Sequence, residues 1–332
     1  MRRLIAEFEP QSFTQVIFPH AGTDWAPYLH EAETCFTNII NNIARFQPCL
    51  IICHDVAAVK QHFPNKHNLH FVAYETNDTW ARDCSALGVS EDKTLKLLDF
   101  TFNAWGGKFE AQKDNAMSAA LQTCYKNELK TIDFILEGGA VESNGLGTIL
   151  TTAQCMLNPN RNPLLNNIQI TERLHEIFGA KHILYLNHGY LAGDDTDSHI
   201  DTLARFIDER SIMYVECEDE NDEHFHQLQL MKEELQMIAK ENDLRLIALP
   251  MPSAVFYDNE RLPATYANFL FVNGAVLVPT YNVPQDAEAL QIFQKIFPNK
   301  EIVPIDSSVL IRQHGSLHCV TMNFAAGVGL SC

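Results

Sequence analysis

The chain has 332 residues, 46% hydrophobic and 10% aromatic, enough to bury a large core and to exclude a disordered chain. Its formal net charge of -18, from 42 acidic against 24 basic residues, excludes nucleic acid and an anionic membrane surface as partners and suits a small cationic ligand. Glu7 and Glu9 break any apolar leader after Arg2 and Arg3, and no apolar run is long enough to span a bilayer, so a cytoplasmic protein is expected.

Along the chain, short apolar runs joined by polar turns read as β-hairpins, and longer stretches with a 3.6-residue apolar period read as helices. Residues 27–46 form the first helix, with Pro27 at a tolerated first-turn position, and 49–53 the strand after it. Residues 85–89 and 95–100 pair about a charged turn at Glu91, Asp92 and Lys93. A helix over 115–130 and a strand over 132–136 follow. The stretch around Val141 turns at Asn144 and Gly145 into a strand over 147–152. Residues 203–207 and 211–215 make a third hairpin. The best helix spans 223–242, where Phe225, Leu228, Leu230, Met231, Leu235 and Ile238 form one stripe, and strand 244–249 follows it. A fourth hairpin, 268–272 with 275–278, turns at Asn273 and Gly274 and leads to helix 286–297 and strand 301–305.

The turns fall near positions 92, 144, 209 and 273, a spacing that fits a repeated supersecondary unit. The hairpin missing from the N-terminal unit is supplied by the C-terminal run 317–324. Five ββαβ units result, closing on themselves in one domain over residues 1–332. An ordinary α/β sheet with chance spacing is the alternative.

Polar motifs sit at equivalent ends of these units: Asn77 to Asp83, Glu137-Gly-Gly139, Asp194 to Asp201, and Gly315 to Cys319. In a closed repeat protein such ends converge. Asp83, Glu137, His199, Asp201 and Cys319 would then share one central pocket. Nine cysteines without a disulfide rhythm suit a reducing compartment, where most are small buried hydrophobes. His199 and Asp201, two apart on a strand-like stretch, would face one side. They also open a rival reading as metal ligands with Asp195 and Asp197, although no HExxH or Cys-x-x-Cys spacing supports zinc.

Trp80-x-Arg82-Asp83, Asn103-Ala-Trp-Gly-Gly-Lys108, Glu137-Gly-Gly139 with Gly145-x-Gly147-Thr148, Asp194 to Asp201 with Ala204-Arg205-Phe206, and His318-Cys319-x-Thr321 together resemble the agmatine deiminase family, which is related to bacterial peptidylarginine deiminases. The resemblance runs from about residue 10 to the C-terminus. It implies the pentein fold, a five-bladed α/β propeller of ββαβ repeats with pseudo-fivefold symmetry, in agreement with the repeat count. It also implies Cys319 as nucleophile, His199 as general acid/base with Glu137 paired to it, Asp83 and Asp201 as clamps on the substrate guanidinium, and Trp80 as a pocket wall. No metal or organic cofactor is implied. The expected reaction is hydrolysis of agmatine to N-carbamoylputrescine and ammonia, with peptidylarginine or arginine as alternative substrates. Oligomeric state is not fixed by the sequence, which is compatible with a homo-oligomer.

The sequence departs from the family pattern at Ser198, at Asn144 and in Gln313 to Leu317, which carries one glycine where a run is usual. These changes bear on the shape of the substrate channel. Arg82 and Arg205 are expected in structural ion pairs, and Asp194, Asp195 and Asp197 are expected to make the pocket acidic.

Overall fold

The computed structural model describes residues 2–332 and is a mixed α/β structure. Among the described residues, five sheets of three or four strands and one two-stranded ribbon are formed. The five sheets repeat one pattern. An antiparallel hairpin is followed by a helix, and the next strand returns parallel to the second hairpin strand. Leu87–Glu91 pairs antiparallel with Thr94–Thr101, which pairs parallel with Leu129–Ile135. Glu142–Ser143, Thr148–Thr152 and His182–Leu186 form the next sheet. Ala204–Asp208, Ser211–Glu216 and Arg245–Pro250 follow, then Leu270–Val272, Ala275–Thr280 and Glu301–Asp306. In the fifth sheet Thr321–Ala325 pairs antiparallel with Gln11–Ile17, so the end of the chain completes the unit begun at its start. Cys49–Cys53 and Leu69–Ala73 extend that sheet in parallel.

Local chemistry explains the pattern. Asp92 and Lys93 both take positive φ (49° and 69°), the tight two-residue turn whose twist matches paired strands. The parallel strand Cys49–Cys53 is buried along its whole length, as its unbroken apolar run requires. Helix Leu29–Ala44 buries Ala32, Cys35, Phe36, Ile39, Ile40 and Ile43 on one stripe. Each of its larger side chains contributes about 1.5–3 kcal/mol of burial.

Two expectations shift, and four elements lie outside the sequence reading. The helix placed over 115–130 is Gln112–Ala120, and the strand after it begins earlier, at Leu129. The intervening chain turns because Asn127 donates to Leu95 O and accepts from Gly329 N, bonds that a continuing helix would not allow. Helix Asn167–Phe178 and strand His182–Leu186 escape the hydropathy reading, although an Asn166–Gln169 capping box marks the helix start. Strands Arg2–Leu4 and Leu69–Ala73 also went unassigned. Among the described residues, no helix is long and apolar enough to cross a membrane.

Candidate active site

A cavity of about 930 Å³ opens beside the helical turn Ala81–Cys84 and the loop before strand Thr321–Ala325. Trp80, Asp83 and Cys319 are in its wall, with Trp105, Asp195 and Gly315. His199, Asp201 and Glu137 are fully buried beneath that wall. Seven carboxylates line the cavity (Asp24, Glu75, Asp78, Asp83, Glu110, Asp114 and Asp195). Among its described lining residues Lys113 is the one lysine or arginine, and it is paired with Glu75 at 3.1 Å.

Two glycines make the convergence sterically possible. A Cβ on Gly139 would lie 2.7 Å from His199 Nδ1, 2.9 Å from Asp83 Oδ1 and 3.1 Å from Asp201 Oδ2. Only a residue without a side chain lets those three groups meet there. A Cβ on Gly315 would lie 2.1 Å from the Trp80 ring, so Gly315 allows that indole to pack beside the loop that carries Cys319.

Asp83 is fixed from two sides, accepting from Gly139 N at 2.9 Å and from Trp105 Nε1 at 2.9 Å, with His199 Nδ1 at 3.7 Å. Burial pushes its carboxyl up to about 6, partly offset by the His199 imidazolium, with Asp201 and Glu137 adding to the rise. Burial also opposes charge on His199, but Asp83, Cys155 and Glu137 outweigh it and hold the imidazolium well above its ordinary range. Asp201 is the reverse case: burial is overcome by the hydrogen bond from His318 Nδ1 at 2.7 Å, and its carboxyl is lowered. The Cys319 thiol is pushed well up by burial and by Asp201 and Asp83. It donates to Asn268 Oδ1 at 3.4 Å, while Asn268 Nδ2 donates to Asp201 O at 3.3 Å. Two buried atoms here have no hydrogen-bond partner, His199 Nε2 and Asp201 Oδ1. Buried polar atoms are nearly always paired; Cys155 and Glu137 stand beside the His199 ring, so Asp201 Oδ1 is the atom that marks where a ligand completes the site.

Several assignments are corrected. Residues 199–201 are not strand: Ile200–Thr202 is a single 3-10 turn, and His199 and Asp201 share the site because the turn wraps past Gly139. Glu137 makes no direct hydrogen bond to His199. Both its oxygens accept from Arg161 Nε, at 2.9 and 3.0 Å, with a His199 ring nitrogen within 4.8 Å. Of the three loop aspartates only Asp195 lines the cavity. Asp194 accepts from Thr196 and Ser198, and Asp197 pairs with Arg161 and Lys108. The metal-ligand set proposed from Asp195, Asp197, His199 and Asp201 is therefore not assembled. Among the described residues, the two clusters with metal-like spacing are Glu137, Cys155, His199 and Glu7, Glu142, His318. Arg161 already bonds the first and Arg205 the second, so a cation would compete with a buried guanidinium.

The expected ion pairs of Arg82 and Arg205 are present, both to Glu7, at 3.3 and 2.9 Å. Asn268 and Arg161 were missed, and His318 was named without a role. An arginine between two prolines in Asn158-Pro-Asn-Arg-Asn-Pro163 is the sequence signal for Arg161, whose burial only the structure shows.

The sequence model of the Porphyromonas-type peptidyl-arginine deiminase family matches residues 3–324. The chain belongs to that family. It is 30% identical to the agmatine deiminase of Stutzerimonas stutzeri, over 95% of this chain and 93% of that one. A C. jejuni agmatine deiminase, solved as a cysteine-to-serine variant with substrate bound, superposes with a TM-score of 0.94. It is 44% identical and covers 100% of this chain and 98% of its own. The fold extends further: an amidinotransferase of Microseira wollei shares it at 10% identity and a TM-score of 0.53, covering 99% of this chain and 98% of that one.

Proposed function

We propose that this family member hydrolyses the guanidine group of agmatine, giving N-carbamoylputrescine and ammonia. One observation carries the reading: a buried thiol opens into a cavity lined by seven carboxylates, in the field of Asp83 and of Asp201, whose Oδ1 has no partner. The relatives' printed activities support it. The five sheets would be the blades of a pentein propeller within one catalytic domain over 1–332, and the free, mostly buried cysteines fit a cytoplasmic location.

The resting site holds Cys319 as a thiol and His199 as an imidazolium. A bound guanidinium offsets the negative field of Asp83 and Asp201, which favours the thiolate. Asp201 offers its free Oδ1, because Oδ2 is taken by His318, and Asp83 clamps the other edge. Sulfur attacks the guanidinium carbon. The thiol proton goes to solvent, the imidazolium of His199 gives its own proton to the departing nitrogen, and ammonia leaves a thiouronium cation on Cys319 beside a neutral imidazole. Water, deprotonated by the neutral imidazole, adds to that carbon. The C–S bond breaks, and the ureido product, the thiol and one proton result.

Arginine differs from agmatine by a carboxylate at the far end. The cavity's lining cation, Lys113, is bound to Glu75, so that carboxylate would meet an acidic wall without a free partner. Ammonia release from agmatine, free arginine and a blocked arginyl peptide tests the substrate. The expected kcat/KM for agmatine exceeds that for arginine by at least about a hundredfold. Comparable rates, or a preference for the peptide, would overturn the substrate and leave the chemistry standing.

A further inference from the structure

Arg161 lies at the hub of the buried groups that surround His199. Its residue is 1% exposed, and all three guanidine nitrogens are engaged. Nε faces both oxygens of Glu137. Nη1 donates to Asp197 Oδ2 at 2.7 Å and Asn160 Oδ1 at 2.9 Å, and Nη2 donates to Thr196 O at 2.8 Å. The two residues just before His199 are Asp197 and Ser198, with φ of 67° and 63°. Two successive non-glycine residues in the left-handed region are strained and persist only when their surroundings hold them. Arg161 grips that turn at Thr196 and Asp197. Asp197 also accepts from Lys108, which follows Ala104 to Gly107, four further residues with positive φ that carry the cavity wall residue Trp105.

We propose that Arg161 is a positioning residue for His199, holding the strained turn that delivers the imidazole and neutralising the Glu137 and Asp197 carboxylates beside it. The inference rests on His199 serving as the acid/base of the deimination proposed above. The groups facing that imidazole are Asp83 from the turn Ala81–Cys84, Glu137 ahead of strand Glu142–Ser143, Cys155 from the turn Ala153–Met156, and Asp195 and Asp201 from its own segment. These are carboxylates and a thiol, and all favour the imidazolium. Without the guanidinium on Glu137 and Asp197, their full charge would act on His199, which would hold its proton more tightly. Release of the adduct needs the neutral ring, so that half-reaction suffers more than the attack.

Arg161→Gln is expected to lower kcat about a hundredfold, the scale of a displaced acid/base, while KM for agmatine stays within a few-fold. The pH limb that reports neutral His199 should move to higher pH, and mass spectrometry of quenched turnover should find more adduct on Cys319. Arg161→Lys keeps the charge and loses the fork, so kcat should fall about tenfold with the limb unmoved. Wild-type kcat in either variant overturns the role. So does a loss in Arg161→Gln with an unmoved limb and no added adduct, which would mark a merely structural residue. If Arg161→Gln does not fold, the rate and limb of Arg161→Lys decide. Wild-type protein releasing no ammonia from agmatine would instead sink the underlying reading, independently of both variants.

Discussion

Two buried polar clusters flank the peptide His318-Cys319, and they are built on opposite terms. Behind it, Glu7, Arg82, Glu142, Arg205 and His318 satisfy one another. Arg205 bonds both Glu142 and Glu7, Phe206 N donates to Glu142, and Arg82 reaches Glu7 and Asn323. In front, Asp83, His199, Asp201 and Cys319 are under-partnered, with two buried atoms orphaned. Desolvation costs are similar in both places, so the difference lies in who supplies the compensation. The rear cluster is balanced by the protein itself. The front cluster is not fully compensated by the protein, which is the physical signature of a site rather than a strut.

The comparison breaks most completely at Cys319. Cys319→Ser should lower turnover by roughly four orders of magnitude or more, because a neutral hydroxyl cannot replace a thiolate. The serine hydroxyl can still donate to Asn268, so the melting temperature should change little. Turnover surviving in this variant, with an adduct on another cysteine, would remove the nucleophile assignment.

Next in size come the two carboxylates proposed as clamps. Asp83→Asn and Asp201→Asn should each lower kcat/KM roughly a hundredfold to several-thousandfold, the kinetic equivalent of the cost of breaking a buried ion pair (about 3–5 kcal/mol). Their folding should be affected far less, since the missing partner is the substrate. Near wild-type efficiency in either one would show that its carboxylate does not grip the guanidinium.

Arg205→Met asks the opposite question of the rear cluster. It leaves Glu142 and Glu7 without their shared guanidinium and should cost about 3–5 kcal/mol of stability. Activity per folded molecule should change by less than about tenfold. Denaturant unfolding together with active-site titration separates the two effects. A large rise in KM with stability intact would mean that the rear cluster is itself part of the site.

The sequence carried the fold well where hydrophobic period and turn chemistry agreed, as in helix Phe225–Asn242 and the hairpin about Asn273 and Gly274. It failed where an element is short or polar. Strand Leu69–Ala73 lacks a fully buried residue, and helix Gln112–Ala120 presents no strong stripe. The residues brought to the site were legible as motif members, but their pairings were not. Glu137 is within 4.8 Å of His199, yet a guanidinium 24 positions along the chain takes its hydrogen bonds. Asp194, Asp195 and Asp197 read alike as acidic residues, and only tertiary contact sorts one into the cavity wall and two into turn and ion-pair duty. Composition records how much charge is present; which charge lacks a partner is settled by packing.

The smallest effect is a matter of pH, and it sharpens the contrast between the two clamps. Burial lifts Asp83 to about 6, whereas the His318 hydrogen bond keeps Asp201 below the ordinary carboxylate range. In the proposed clamp, guanidinium binding requires both ionised. As pH falls through about 6, Asp83 gains a proton while Asp201 does not, so kcat/KM for agmatine should fall about tenfold per pH unit with a slope of one. Bound substrate stabilises the ionised Asp83, so the same limb in kcat should lie at lower pH. The stability effect has the opposite sign. A carboxyl whose folded value is raised contributes stability that is present below its unfolded value and lost as pH rises through the folded one. Asp83 shares that behaviour with Asp78, at about 6, and with Asp114 and Glu142, at about 7. The unliganded protein should therefore melt higher at pH about 5.5 than at about 7.5. Saturating agmatine should remove Asp83's share of that difference, because the guanidinium compensates the charge that burial penalises. A kcat/KM profile flat from about pH 7 down to 5, or one unchanged in Asp83→Asn, would place the titrating clamp elsewhere.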